Sequence, residues 1–309
     1  MPKINLLSSA AYGYMKQHLL QKNKQFKDIE IQSLRFPDGE RYFRIKDIEK
    51  IAGLPAVYIC GTINDEAILE AYQICLELVR GGCTSLHLVI PYFGYSTMER
   101  ATKPGEIVSA KNIACLFSSI PQAGMGNYIY TVDIHAPGTQ YYFEQNIIPV
   151  NLTTEPIINN IVKDICKNNR KFVLASADMG RAKWVERISN HLGLESAYIM
   201  KKRISATETT VQALNADVKN KNVLIFDDMI RSGTSILNAA RAYKTCNAKN
   251  IYAICVHGIF VKGALEKLKQ SNLIKSIYCT NTHANVQNTS DNFINIYDIS
   301  DIIIQGLKI

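Results

Sequence analysis

Val223-Leu224-Ile225-Phe226-Asp227-Asp228-Met229-Ile230-Arg231-Ser232-Gly233-Thr234-Ser235 is the stretch that decides the fold class. An apolar run meets two adjacent carboxylates, then a short Ser/Gly/Thr turn, then a helical stretch from about Ile236. A continuous apolar run of this length suits a strand covered by helices on both faces. The same unit recurs outward along the chain. Residues 57–60 precede a helical stretch from Asp65 to Arg80, Gly81-Gly82 stops it, and residues 86–90 begin the next strand. Residues 128–133, 172–175, 197–200, 251–256 and 276–279 read as further strands. Strands alternating with helices of this length indicate parallel, right-handed βαβ units. The unit at 57–92 recurs in outline at 223–258, an offset of 166 residues (223 − 57). The expected class is α/β, with two similar doubly wound parallel-sheet domains at 1–150 and 151–309. Residues 294–309 are expected to add a last strand or helix that packs back on the first domain.

A length of 309 residues fits two domains of about 150 residues each. Hydrophobic residues make up 47% and charged residues 20%, the balance of a globular enzyme and not of a disordered chain. The net charge of +8, from 35 basic and 27 acidic residues, is scattered and suits anionic substrates. No zinc-finger spacing or aromatic-basic interleaving supports nucleic-acid binding. The apolar runs fall far short of the ~20 residues that span a bilayer, so no membrane partner is expected. The eight cysteines form no C-x-x-C pair and read as core thiols of a reducing compartment. With no leader pattern at Met1-Pro2-Lys3-Ile4-Asn5, a cytoplasmic location is expected.

Chemistry concentrates at the quoted stretch. Open parallel sheets bind ligands at the carboxyl ends of their strands. A Ser/Gly/Thr turn at a helix N-terminus presents hydroxyls and backbone N–H groups to a phosphate. Asp227 and Asp228 could hold a sugar's hydroxyls or a magnesium ion. A plain capping turn would explain Ser232 and Thr234 but not two acids at a strand end.

The stretch resembles the ribose 5-phosphate loop shared by phosphoribosyltransferases and ribose-phosphate pyrophosphokinases, which makes the expected domains of phosphoribosyltransferase type. Seven other segments resemble the pyrophosphokinase family, in its order. They are Phe36-Pro37-Asp38-Gly39-Glu40, Pro91-Tyr92-Phe93-Gly94-Tyr95, Ser109-Ala110-Lys111, Asp133-Ile134-His135-Ala136, the Asp178-to-Lys183 segment, Lys201-Lys202-Arg203 and His257-Gly258-Ile259-Phe260. The family transfers the diphosphoryl group of Mg-ATP to the 1-hydroxyl of ribose 5-phosphate, giving phosphoribosyl pyrophosphate and AMP. Such chemistry needs positioning and charge neutralisation more than covalent help from the protein.

The resemblance also implies roles for individual residues. By it, Lys201 and Arg203 are the catalytic cations, at the base of a polar, Thr-rich stretch (204–210) that would serve as a lid. Phe36, Asp38, Glu40, Arg100 and His135 contact ATP, the first three across a subunit contact. Asp227, Asp228, Arg231, Ser232, Gly233, Thr234 and Ser235 hold ribose 5-phosphate. His135 and Asp178 contact Mg2+, the expected cofactor, and the chain is expected to form a homo-oligomer built from dimers, up to a hexamer.

The chain departs from the family pattern at several points. Ser96-Thr97-Met98 stands where an Arg-Gln pair is usual, so nucleotide binding or donor choice is expected to differ. Lys103-Pro104-Gly105-Glu106 replaces a more basic stretch, which puts regulation by phosphate or ADP in doubt. Arg231 replaces an acid, Thr234 a glycine and Arg181 a small residue. Two other readings stay open: a catalytically silent associated subunit, and a phosphoribosyltransferase.

Overall fold

A computed structural model describes residues 3–144, 146–167, 171–203, 209–214, 216–289 and 291–309, with no description of the side chains at 200–203, 209–214 and 288. The chain divides into two compact units, Met1–Thr153 with Ser300–Ile309, and Thr154–Ile299.

The first unit carries β1 (Ile4–Ser8), α1 (Gly13–Lys22), β2 (Phe26–Asp28), β3 (Ile31–Arg35), β4 (Arg41–Ile45), β5 (Ala56–Ile59), α2 (Asp65–Arg80), β6 (Leu86–Ile90), α3 (Ser109–Ser118), β7 (Asn127–Val132) and β8 (Ile147–Leu152). The second carries α4 (Glu155–Cys166), β9 (Phe172–Ser176), α5 (Ala182–Leu192), β10 (Glu195–Ala197), β11 (Ile199–Arg203), β12 (Thr209–Leu214), β13 (Asn222–Ile230), α6 (Thr234–Thr245), β14 (Asn250–Gly258), α7 (Ala264–Gln270), β15 (Ile277–Thr280) and β16 (Ile294–Tyr297). A last helix, α8 (Ser300–Gly306), belongs to the first unit.

Each unit is built on a six-stranded sheet, β2-β1-β5-β6-β7-β8 and β10-β9-β13-β14-β15-β16. Every pairing in both is parallel. Counted along the chain, both orders are 2-1-3-4-5-6, so β5 and β13 hold the same place in their sheets. The 166-residue repeat is therefore a repeat of topology. Strands β5, β6 and β13 are buried along nearly their whole length, as cover on both faces demands.

Local signals account for the element ends. Helix α2 spans the stretch its sequence marks: the Asn64 side chain accepts a hydrogen bond from the Ala67 N–H, and Gly81 closes the C-terminus. Three expectations needed correction. Residues 197–200 are not one strand: β10 ends at Ala197, and β11 pairs antiparallel with β12 in a separate two-stranded ribbon. Strand β7 stops at Val132, because Asp133 takes a left-handed φ of 37°. Cys115 is exposed, not a core thiol, whereas Cys60, Cys75, Cys83, Cys166, Cys255 and Cys279 are buried.

The last residues are tied into the first unit by several contacts. Lys22 pairs with Asp301 at 2.8 Å, the Lys308 N–H donates to the Tyr130 hydroxyl at 3.0 Å, and Gly306 fits closely over Leu152. Among the described residues no helix is long and apolar enough to cross a membrane.

The loop after β6 is set by one close approach. A Cβ on Gly94 would lie 1.9 Å from the Thr62 carbonyl oxygen, and the Gly94 N–H donates to Thr62 Oγ1 at 2.6 Å. Tyr95 follows at a φ of 62°, with its hydroxyl on Asp65. Gly94→Ala must push two backbone segments apart, and a loss of about 3 kcal/mol is expected. Hydrogen exchange checks it: amides of β5 and β6 should lose protection while those of β13 keep theirs.

Candidate active site

The second sheet reverses its strand order between β9 and β13, and ligands of doubly wound sheets bind in the crevice beyond such a switch point. The ladder of β13 with β9 ends at the pair Phe226 and Ser176. Beyond it, β13 continues to Ile230 paired with β14 alone. Asp227 and Asp228 thus lie inside an overhanging strand, a correction to their expected place at a strand end. The overhang is stable because it is fastened on the β14 side. Ile259 and Phe260 donate their N–H groups to the Ile230 carbonyl, and Val261 donates to that of Arg231. Gly258 has no room for a Cβ, which would meet the Phe260 ring at 2.4 Å. The His257-to-Phe260 segment therefore braces the loop.

Asp228 is 6% exposed and Asp227 is half-buried. The Asp228 N–H donates to Asp227 Oδ1 at 3.0 Å. Burial, then the Asp228 charge, then that of Asp178 hold the Asp227 carboxyl well above the usual carboxylate range, at about 8. Arg181 answers this charge. Its guanidinium reaches Asp228 through Nη2 to Oδ2 at 2.7 Å and Nε to Oδ1 at 3.3 Å. The departure at 181 thus faces the acids of the loop. Asp178 lies past the end of β9 and not in it. It is exposed, and its Oδ1 accepts the Gly180 N–H at 2.8 Å. Trp184, the chain's one tryptophan, stacks on Phe226 at 3.8 Å between ring centres, directly behind the acid pair.

The turn after the overhang is shaped for an anion. Gly233 is left-handed (φ 72°) and opens α6 without a side-chain cap, leaving the first-turn N–H groups to outside acceptors. Helix α6 begins at Thr234, not near Ile236 as expected. Ser232 and Thr234 place their hydroxyls 3.1 Å apart, and Lys267 Nζ donates to Thr234 Oγ1 at 2.9 Å. Arg231, Ser232, Thr234 and Ser235 are exposed at the same turn. Sequence reasoning missed Lys267. It is one of three charged residues of α7, and only the folded chain brings it to the turn.

In the first unit, His135 is half-buried in the turn after β7. Asn151 Oδ1 holds that turn, accepting from the Thr131 hydroxyl and the Ile134 N–H at 3.1 Å each. Arg100 follows β6 and is largely exposed, with Glu99 at 3.4 Å. Phe36, Asp38 and Glu40 form the exposed tip of the β3–β4 hairpin, which closes by the Phe36 N–H on the Glu40 carbonyl at 2.8 Å. Phe36 packs edge-on to Tyr42. Lys201 and Arg203 lie in β11 opposite Val211 and Thr209, and their side chains are outside the described residues. So are 204–208 of the expected lid, while 209 and 210 begin β12. Among the described residues no three His, Cys, Asp or Glu side chains converge as a metal site.

Comparison with known proteins gives this geometry its context. Residues 5–120 match the model for the N-terminal domain of ribose phosphate pyrophosphokinase, and residues 189–308 that for a phosphoribosyl synthetase-associated domain. The chain is 34% identical over 259 residues to ribose-phosphate pyrophosphokinase of Pyrococcus abyssi, covering 82% of this chain and 84% of that protein. It is 32% identical over 252 residues to the Campylobacter jejuni protein of the same name, covering 80% and 77%. The crystal structure of phosphoribosylpyrophosphate synthetase from Mycobacterium smegmatis shares the fold, with a TM-score of 0.85 at 19% identity over 98% of this chain and 97% of that one. With a third of its residues identical over four fifths of its length, the chain belongs to the ribose-phosphate pyrophosphokinase family of enzymes.

Proposed function

We propose that the chain makes phosphoribosyl pyrophosphate and AMP from Mg-ATP and ribose 5-phosphate. The observation that carries this reading is the paired acids and the uncapped phosphate turn, side by side at the β9–β13 switch point, in a chain of this family. Asp227 and Asp228 accept hydrogen bonds from the sugar's vicinal hydroxyls, and residues 231–235 hold its phosphate. The sugar's 1-hydroxyl oxygen bonds to the β-phosphorus as the bond from that phosphorus to the AMP oxygen breaks, and the hydroxyl proton is released. Lys201 and Arg203 stabilise the charge that builds on the transferring group. His135 and Arg100 meet the nucleotide's phosphates. Phe36 offers the adenine a ring face, with Asp38 and Glu40 as acceptors for its amine, in a homo-oligomer that brings the exposed hairpin tip to a neighbouring copy.

Magnesium fits the donor set. The exposed Asp178 carboxylate is a hard oxygen donor of the kind magnesium prefers, and magnesium needs only one or two protein carboxylates. Asp178 would contact it, the remaining positions falling to water and phosphate oxygens, and His135 is a metal contact by the family resemblance alone. When bound, the ion neutralises charge on the triphosphate.

The paired acids are costly to the fold. A carboxyl whose folded pKa is raised from 3.8 to about 8 contributes stability that is fully present below about pH 4, falls as pH rises between the two values and is gone above about 8.

The function is tested by AMP release from Mg-ATP with and without ribose 5-phosphate. AMP formed only with the sugar, matched by phosphoribosyl pyrophosphate, is expected. Folded protein releasing none across nucleoside triphosphates would leave the silent partner subunit. Lys201→Ala should lower kcat by two orders of magnitude or more, with ribose 5-phosphate affinity within about twofold; parallel loss of both would make it a ground-state contact. Asp227→Asn should flatten the fall in second-unit stability between about pH 4 and pH 8, followed by urea unfolding with Trp184 fluorescence. An unchanged pH slope would remove Asp227 as its source.

A further inference from the structure

We propose that Lys267 is a binding residue for the 5-phosphate of the sugar, delivered to the loop by α7 and additional to residues 227–235. The inference rests on the reading that those residues hold ribose 5-phosphate. Helix α7 is fixed to the turn by close contact and not by chance proximity. The ideal Cβ position of Gly233 lies 2.8 to 2.9 Å from the Leu268 side chain, so the bare glycine is what lets α7 approach. Leu268 and Ala264 are buried in the core of the second unit and anchor the helix from below. The residue beside Leu268 is therefore held over the turn, and its ammonium donates to Thr234 Oγ1 at 2.9 Å.

The neighbouring lysine shows what an ordinary helix-surface cation does here. Lys269 turns to the Asp291 carboxylate, away from the turn. Lys267 instead spends a charge on a neutral hydroxyl, a weaker acceptor than any phosphate oxygen. A phosphate ester seated on the first-turn N–H groups of α6 would lie within reach of the same ammonium, which has three donors and can keep Thr234 while adding a phosphate oxygen. A sugar phosphate near neutral pH carries close to two negative charges, and the helix N-terminus supplies only about half a positive one. Lys267 and the exposed Arg231 supply the rest. Thr234, where the family's glycine is usual, then has a purpose. Its hydroxyl stores the ammonium at the turn before the ligand arrives, so less side-chain freedom is lost on binding.

Calorimetric titration of the full-length protein with ribose 5-phosphate tests this without relying on turnover. Lys267→Ala should weaken binding about tenfold or more, as expected for a charge-assisted hydrogen bond. Lys267→Arg should recover most of that loss. In turnover, Lys267→Ala should raise KM for ribose 5-phosphate with kcat and the KM for ATP within about twofold. Lys262→Ala, which removes a charge from the same surface, should leave all three unchanged. Thr234→Val should make the Lys267→Ala loss smaller, since the pair acts as a unit. Wild-type protein that binds the sugar phosphate while Lys267→Ala binds it equally well would overturn the proposal and leave the proposed function standing. Wild-type protein that binds the sugar phosphate tightly but releases no AMP would overturn the function and leave Lys267 in place. Failure of the wild type to bind ribose 5-phosphate at all would overturn both.

Discussion

Asp227 and Asp228 bring two carboxyl groups into one poorly hydrated corner of a parallel sheet, and much of the second unit is arranged around that repulsion. Desolvation and mutual charge push the Asp227 carboxyl toward its neutral form. Arg181 reaches over from the end of β9 to pair with Asp228, so the two carboxyl groups meet different partners. Behind them Trp184 covers Phe226 and keeps water from the strand, and the His257-to-Phe260 segment fastens the overhang from the β14 side. The strand outruns β9 by four residues, from Asp227 to Ile230, held there by its ladder with β14.

The two units share a strand order but not a use of it. In the second, the switch point between β9 and β13 carries the acids. In the first, the corresponding position between β1 and β5 is occupied by the buried ring of Tyr12, whose hydroxyl would lie 2.6 Å from a Cβ on Gly61. A packed aromatic leaves no ligand crevice there. The candidate residues of the first unit lie instead after β6 and β7: Arg100 beyond the loop shaped by Gly94, and His135 in the turn pinned by Asn151. One strand order thus carries its candidate residues at different strand ends in the two units.

How much of this could be read from the residues depends on how local each feature is. The α2 boundaries were legible because Asn64 and Gly81 are local punctuation. The 166-residue repeat was legible because apolar runs and turns keep their order even when identities change. The end of β13 was not. Nothing in Asp227-Asp228 announces that a strand continues through them, because the pairing that holds them comes from β14, about thirty residues on. The split at residues 197–200 was hidden for a related reason, since one apolar run served two sheets. Candidate site residues were named from motif resemblance. The partners that give them a physical environment, Arg181 on Asp228 and Lys267 on Thr234, lie 47 and 33 residues away and needed the fold.

Those two partners change how the chain's departures are understood. A substitution that decayed a site would leave its new side chain in solvent or against a repelling neighbour. Arg181 does neither, and the exposed Thr234 has an ammonium at hydrogen-bond distance. The bulky cation at 181 ends on the more buried of the two acids, where a positive charge lies beside two neighbouring carboxyl groups. The hydroxyl at 234 receives an ammonium from a helix already locked to the turn through Leu268. Each added group finds a partner of suitable chemistry at hydrogen-bond distance. The phosphate turn keeps its left-handed glycine one position earlier, at 233, so the extra side chain at 234 enters a helical position where it costs no backbone strain. Departures that arrive with their counterparts and respect the backbone's one steric demand leave the local geometry of the acids and of the turn intact.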